Sequence, residues 1–161
     1  MAKAVLTGYT SGIGKTIHDH LVAKDYDVVG FNRSTGLDID EVIAAAVGCD
    51  IFINNAYADG IQIDLLNSLY ASVKKMIVIG SVASDRPDPK MPMYSKHKKQ
   101  LEERFLDIAN SVIPNRADML LLKLSSNAYH DSVLINRSID FWLENPRVSV
   151  ITFEDVGEPN R

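Results

Sequence analysis

Cysteine is nearly absent from the 161 residues: Cys49 stands alone, so neither an internal disulfide nor a cysteine-rich zinc site can form. Within Val47-Gly48-Cys49-Asp50-Ile51 it reads as a small buried hydrophobe, in keeping with a reducing compartment. Long hydrophobic runs are missing too. No stretch approaches the length that crosses a bilayer, and Met1-Ala2-Lys3-Ala4-Val5-Leu6 turns polar too early for a secretory signal. A cytoplasmic protein without membrane contact is expected. There is no excess of positive charge either, since 17 Lys and Arg face 21 Asp and Glu for a net charge of −4, a field that repels nucleic acid. No repeat, linker or low-complexity tract breaks the chain, which implies one domain over 1–161 with a polar tail at 154–161. Its 46% hydrophobic content suffices for a core that needs no crosslink or structural metal.

What the chain does have is alternation. Short apolar runs expected as strands fall at 4–6, 27–31, 37–39, 50–54, 76–79, 119–124 and 148–151, with helical periodicity between most of them. Ile13, Ile17 and Leu21 mark the first helix, and Leu65, Leu66, Leu69 and Val73 the inner face of a later one. Pro87, Pro89 and Pro92 make the stretch before Met93 a loop, after which Leu101, Phe105, Ile108 and Val112 form an amphipathic stripe. The order implies an α/β fold: a doubly wound, Rossmann-like parallel sheet of about seven strands with helices on both faces. Between residues 31 and 37 there is no room for a helix, so one crossover helix is expected to be missing.

Thr7-Gly8-Tyr9-Thr10-Ser11-Gly12-Ile13-Gly14-Lys15-Thr16 joins the first strand to the first helix, where backbone N–H groups and the helix dipole attract phosphate. Gly14-Lys15-Thr16 looks like the end of a nucleoside-triphosphate loop, but that motif needs glycine where Tyr9 stands, and no later strand ends in a magnesium-binding Asp. Read from Gly8, the glycines suit a dinucleotide: Gly8 turns the chain, Gly12 permits close approach and Gly14 eases helix–strand packing. A merely structural turn would have the same spacing.

Further residues decide between these readings. Asn54-Asn55-Ala56 follows the strand at 50–54, Ser81 ends the next, and Tyr94-Ser95-Lys96-His97-Lys98 opens the long helix. Tyr94 and Lys98, four apart, share a helix face, and an ammonium near a phenol favours the phenolate that a proton acceptor needs. Taken alone, Lys96, His97, Lys98 and Lys99 would be a solvated cationic face. In order and spacing, however, the glycine loop, Asn54-Asn55-Ala56, Ser81 and the Tyr94/Lys98 pair resemble the short-chain dehydrogenase/reductase family over nearly the whole chain.

The resemblance implies an oxidoreductase passing hydride between a nicotinamide and a small carbonyl or alcohol substrate. Tyr94 would be the acid/base and Ser81 would position the substrate oxygen, while Lys98 would hold the nicotinamide ribose and lower the Tyr94 pKa. The cofactor would rest on Gly8, Thr10, Ser11, Gly12, Ile13 and Gly14. Asn32, Arg33 and Ser34 would lie beside the adenosine ribose, Asp38 and Ile39 at the adenine, and Asn55 and Ala56 beneath the adenosine. Arg33 can pair with a 2′-phosphate and offers no acceptor to a 2′-hydroxyl, so NADP(H) is favoured over NAD(H). The family's pairing through its tyrosine-bearing helix, with Leu106, Ala109 and Ile113 widening the apolar face here, implies a homo-oligomer about a two-fold axis.

The chain departs from the family in several places. Members are mostly longer. Tyr57 replaces a glycine, Leu124-Ser125-Ser126-Asn127 replaces a Pro-Gly turn, and the only helical counterpart for a further active-site asparagine is Asn67. These departures keep an alternative open: an NADP(H)-binding sensor or regulator on the same fold with little turnover.

Overall fold

Short runs of leucine and β-branched residues form the strands of the computed structural model, which describes residues 1–35, 37–58 and 60–155, Thr35 by its backbone alone. The strands are β1 (Lys3–Thr7), β2 (Asp27–Phe31), β3 (Ile51–Asn54), β4 (Lys75–Ser81), β5 (Asp118–Leu124) and β6 (Val150–Phe153). All pair in parallel, in the order β2-β1-β3-β4-β5-β6. Five helices connect them: α1 (Gly12–Ala23), α2 (Ile39–Ala46), α3 (Ile61–Leu69), α4 (Pro92–Ala109) and α5 (Ser132–Glu144).

Because successive strand residues point to opposite faces, the sheet feeds two cores. Val5, Phe52, Met76, Val78 and Leu121 pack with α2, α3 and α4. Leu6, Ile53, Ile77, Leu120 and Leu122 pack with Ile17 and Leu21 of α1 and Ile139 and Trp142 of α5. The last crossover is unusual. Helices α4 and α5 carry the chain the same way across the sheet but lie on opposite faces, so their crossovers have opposite hands. Asp140 holds α5 to α1, its carboxylate 2.8 Å from His20 Nε2 and 3.0 Å from Lys24 Nζ. Cys49 is buried as expected, and burial pushes its thiol up to about 11.

Three expectations need correction. Residues 37–39 are not a strand: Asp38 caps α2, its carboxylate accepting the N–H groups of Asp40 at 2.9 Å and Glu41 at 3.4 Å. Among the described residues the sheet therefore has six strands, with β2 at one edge, and the crossover to β3 carries its helix. Second, α4 ends at Ala109, which leaves Val112 fully exposed beyond it. Third, Ala109 and Ile113 pack onto the core of α2–α4, so only Leu106, 36% exposed, remains outward of the residues expected to widen the face. The expected polar tail is described only to Asp155; 156–161 lie outside the described residues, as does Gly36. Among the described residues no helix is long and apolar enough to cross a membrane.

Two local features set the geometry at the carboxyl ends of the strands. Lys123, buried in β5, bonds Asp85 at 2.6 Å and Glu102 at 2.8 Å, clamping the loop after β4 to α4. At the other end Gly8 has φ +73°, and a Cβ on Gly14 would overlap the Gly8 carbonyl oxygen. Gly12, with φ +56°, has open space where its Cβ would be. Gly14→Ala is accordingly expected to destabilise the protein by about 3 kcal/mol through overpacking. Gly12→Ala pays only the left-handed conformation, about 1 kcal/mol. Urea denaturation of both variants checks that order.

Candidate functional site

The loops after β1 and β3 are tied together by one hydroxyl. Buried Thr7 Oγ1 accepts the backbone N–H groups of Asn55 and Ala56, both at 3.1 Å, and Asn55 Nδ2 donates back to the Gly8 carbonyl at 3.0 Å. The Gly8 N–H reaches the Phe31 carbonyl at 2.7 Å, which draws in the end of β2. Between these loops lies a cavity of about 230 Å³ whose walls include Gly8, Thr10, Ser11, Asn32, Arg33, Asn55, Ala56 and Tyr57. All but Tyr57 are residues expected at a cofactor. Asn32 Nδ2 donates to Thr10 at 2.9 Å and to Ser34 at 2.8 Å, and Arg33 Nη1 donates to the Tyr57 carbonyl at 3.1 Å.

Gly12, Ile13 and Gly14 form the first turn of α1. Ser11 makes no side-chain cap bond and the first turn holds no acidic residue, so neither competes for the leading N–H groups. Asp38 and Ile39 sit at the start of α2 and do not line this cavity; the Asp38 carboxylate is engaged in its cap.

A second cavity, of about 370 Å³, is lined by Ser81 at the end of β4 and Tyr94 in the first turn of α4. Ser81 Oγ accepts the Ala83 N–H at 3.1 Å, which caps the turn Val82–Ser84 and leaves its own proton to donate. Pro92 starts α4, and Ser95 Oγ pins the preceding loop by accepting the Asp88 N–H at 2.9 Å. Across the same cavity the hydroxyl oxygens of Tyr94 and Tyr129 stand 3.1 Å apart.

Lys98 lies one turn after Tyr94, as the spacing predicts, but its contacts run inward. Its Nζ donates to Gln62 Oε1 at 2.8 Å and to the Ile79 carbonyl at 2.9 Å, and the residue is 3% exposed. The nitrogen is 5.5 Å from the Tyr94 ring centre and 5.9 Å from that of Tyr57, within cation–π range of both. Burial pulls the amine down to about 7. In this arrangement the Lys98 amine lies beneath the rings of Tyr94 and Tyr57, and the residue lines neither cavity.

Tyr57 forms the wall between the cavities: it lines the first and packs edge-on against Tyr94 at 5.0 Å, while its hydroxyl is 2.9 Å from His97 Nδ1. Asn67 lies elsewhere, on the outer side of α3, where its Oδ1 accepts from Arg104 at 2.6 Å. Two residues went unread in the sequence, Gln62 and Tyr129, and Thr7 was read in the glycine loop without its role as acceptor. Gln62 had a signal, because it precedes Leu65 and Leu66 by one turn on the buried stripe, where a polar side chain needs a partner. It finds several, donating to the Asn54 and Ile79 carbonyls at 2.9 and 3.1 Å. Tyr129 sits in the short turn Ala128–His130, where no periodicity marks it.

No family model matches the chain, and no curated protein matches it in sequence. Solved structures do resemble it. A short-chain dehydrogenase/reductase from Brucella melitensis, described as a glucose/ribitol dehydrogenase, matches with a TM-score of 0.76 at 14% identity over 94% of each chain. A 3-ketoacyl-(acyl-carrier-protein) reductase from the same organism, complexed with NADH, gives 0.75 at 14% identity, covering 94% of this chain and 95% of that one. BdcA in complex with NADPH gives 0.72 at 13% identity, over 94% and 91%. The chain has the fold of the short-chain dehydrogenase/reductases.

The lowered Lys98 amine makes stability pH-dependent. Between about pH 7 and about 10 the unfolded chain holds this proton and the folded one does not, so stability climbs with pH through that window. Above it the effect reverses, because burial pushes the Tyr129 phenol well up and the unfolded chain then loses that proton first. Lys98→Met removes the titrating amine and is expected to flatten the climb. Urea denaturation of both proteins from pH 6 to about 9.5 measures it.

Proposed function

We propose that this chain is a short-chain dehydrogenase/reductase that uses NADP(H) to interconvert a small carbonyl compound and its alcohol. One observation carries the reading: the glycine-loop cavity with Arg33 and the cavity with Ser81 and Tyr94 adjoin across Tyr57 at the carboxyl ends of the strands. Ligands of open α/β sheets bind at those ends. The NADH and NADPH complexes among the structural neighbours support a nicotinamide dinucleotide, and Arg33 supports the 2′-phosphorylated form.

The donors present suit the adenosine and diphosphate end of such a cofactor. The N–H groups at the start of α1 would hold the diphosphate, and Arg33 would hold the 2′-phosphate. When bound in reduced form, the cofactor supplies a hydride for the carbonyl carbon. Ser81 donates its hydroxyl proton in a hydrogen bond to the substrate oxygen, and Tyr94 transfers its phenolic proton to that oxygen; oxidation of the alcohol returns it. Lys98, beneath the Tyr94 ring, favours the phenolate through space when it carries its charge. Tyr57 has to yield where a dinucleotide spans both cavities. Its place between them, with Lys98 turned inward, favours a second reading: nucleotide binding with little turnover, as in a sensor or regulator.

Two measurements test the proposal. Calorimetric titration with NADPH and NADH is expected to favour NADPH, and Arg33→Ala to remove that preference; equal affinities in the unaltered protein contradict it. Tyr94→Phe is expected to lower turnover by about 10²–10⁴-fold on a panel of aldehydes, ketones, quinones and alcohols while cofactor affinity holds.

A further inference from the structure

Tyr129 belongs to none of the motifs, yet its hydroxyl meets that of Tyr94 at 3.1 Å, and both line the cavity that contains Ser81. It is held there firmly. Its backbone N–H donates to the Ser125 carbonyl at 3.2 Å, Ser125 Oγ accepts the Ala128 N–H at 3.3 Å, and the ring packs onto the core beneath α1 and α5. Two phenols in contact must settle which one donates. Lys98 lies under the ring of Tyr94, and Tyr57, bonded to His97, packs on its edge. Arg86, Asp88 and His130 line the cavity. Tyr129 is mostly buried, and both its burial and Tyr94 push its phenol well above the usual range. Once Tyr94 has given up its proton its Oη can only accept, and Tyr129, whose proton burial retains, is the hydroxyl in place to donate.

We propose that Tyr129 is a positioning residue for Tyr94: its hydroxyl donates to Tyr94 Oη, fixes that oxygen at the cavity wall and stabilises the phenolate formed there. The proposal rests on the reading of Tyr94 as the acid/base group. The step balances simply. The Tyr94 O–H bond breaks, its proton goes to the substrate oxygen and its electron pair stays on Tyr94 Oη. The hydride from the reduced nicotinamide accounts for the other electron pair. Tyr129 keeps its own proton throughout, and its hydrogen bond strengthens because the acceptor has become an anion. The same contact serves the reverse direction, where a phenolate must exist before alcohol oxidation begins.

Tyr129→Phe removes one oxygen and keeps the ring. In protein carrying tyrosine labelled with ¹³C at Cζ, the Tyr94 signal is identified by its loss in Tyr94→Phe, and its ionisation is followed by NMR without any substrate. Tyr129→Phe is expected to raise the pH at which Tyr94 ionises by about one unit or more, as for loss of a hydrogen bond to a charged group. It is also expected to lower kcat about tenfold, with KM little changed and the pH profile shifted the same way. An unchanged Tyr94 titration in folded Tyr129→Phe protein overturns the proposal. Retention of turnover by Tyr94→Phe instead overturns the acid/base reading, and the substrate-free titration distinguishes the two failures.

Discussion

The site depends on a lysine amine held in the protein interior. Lys98 Nζ has two acceptors, Gln62 Oε1 and the Ile79 carbonyl, and these join α3, β4 and α4 at one point. A buried cation without partners would be prohibitively costly, so the alternatives are a neutral amine or a well-bonded one. The fold supplies the bonds, and burial lowers the amine to about 7. A neutral amine still has two N–H groups to offer, and both acceptors are in place. Gln62 can serve because its own amide is fixed by the Asn54 and Ile79 carbonyls. The consequence for chemistry is that Tyr94 and Tyr57 lie over a group that changes charge near neutral pH.

Separate bonds hold the loops around the two cavities. The sheet ends at β2, while Asn54, Asn55 and Ser81 emerge from the inner strands β3 and β4. Asp38 starts α2 by capping it, and Thr7 bonds the loops after β1 and β3. Bulky side chains fill much of the site. Tyr57 stands between the cavities and Tyr129 stands against Tyr94.

The sequence was informative wherever structure follows from periodicity. β2 was read at its observed bounds, and the helices containing Ile17, Leu65 and Phe105 were found because one face of each is apolar. The glycine loop, Ser81 and Tyr94 were singled out by the order and spacing of their motifs, and strand ends and helix starts bring them to one edge of the sheet. Leu37-Asp38-Ile39 misled, since three residues cannot distinguish a strand from a helix cap; the Asp decided it by bonding the N–H groups after it. Lys98 was placed on the correct face, but the direction of its amine depended on Gln62, two elements away in sequence. Tyr129 was invisible because a short turn carries no pattern, and its role arises only from proximity.

The central claim is that a nicotinamide dinucleotide runs from Arg33 to Tyr94 past Tyr57. A crystal structure of the protein grown with NADPH tests it without knowledge of the substrate. The account predicts the 2′-phosphate at Arg33, the diphosphate at the start of α1, the nicotinamide beside Ser81 and Tyr94, and the Tyr57 ring moved from the edge of Tyr94. A nucleotide held by its adenosine end alone, with Tyr57 still packed on Tyr94 and the nicotinamide in solvent, would contradict it.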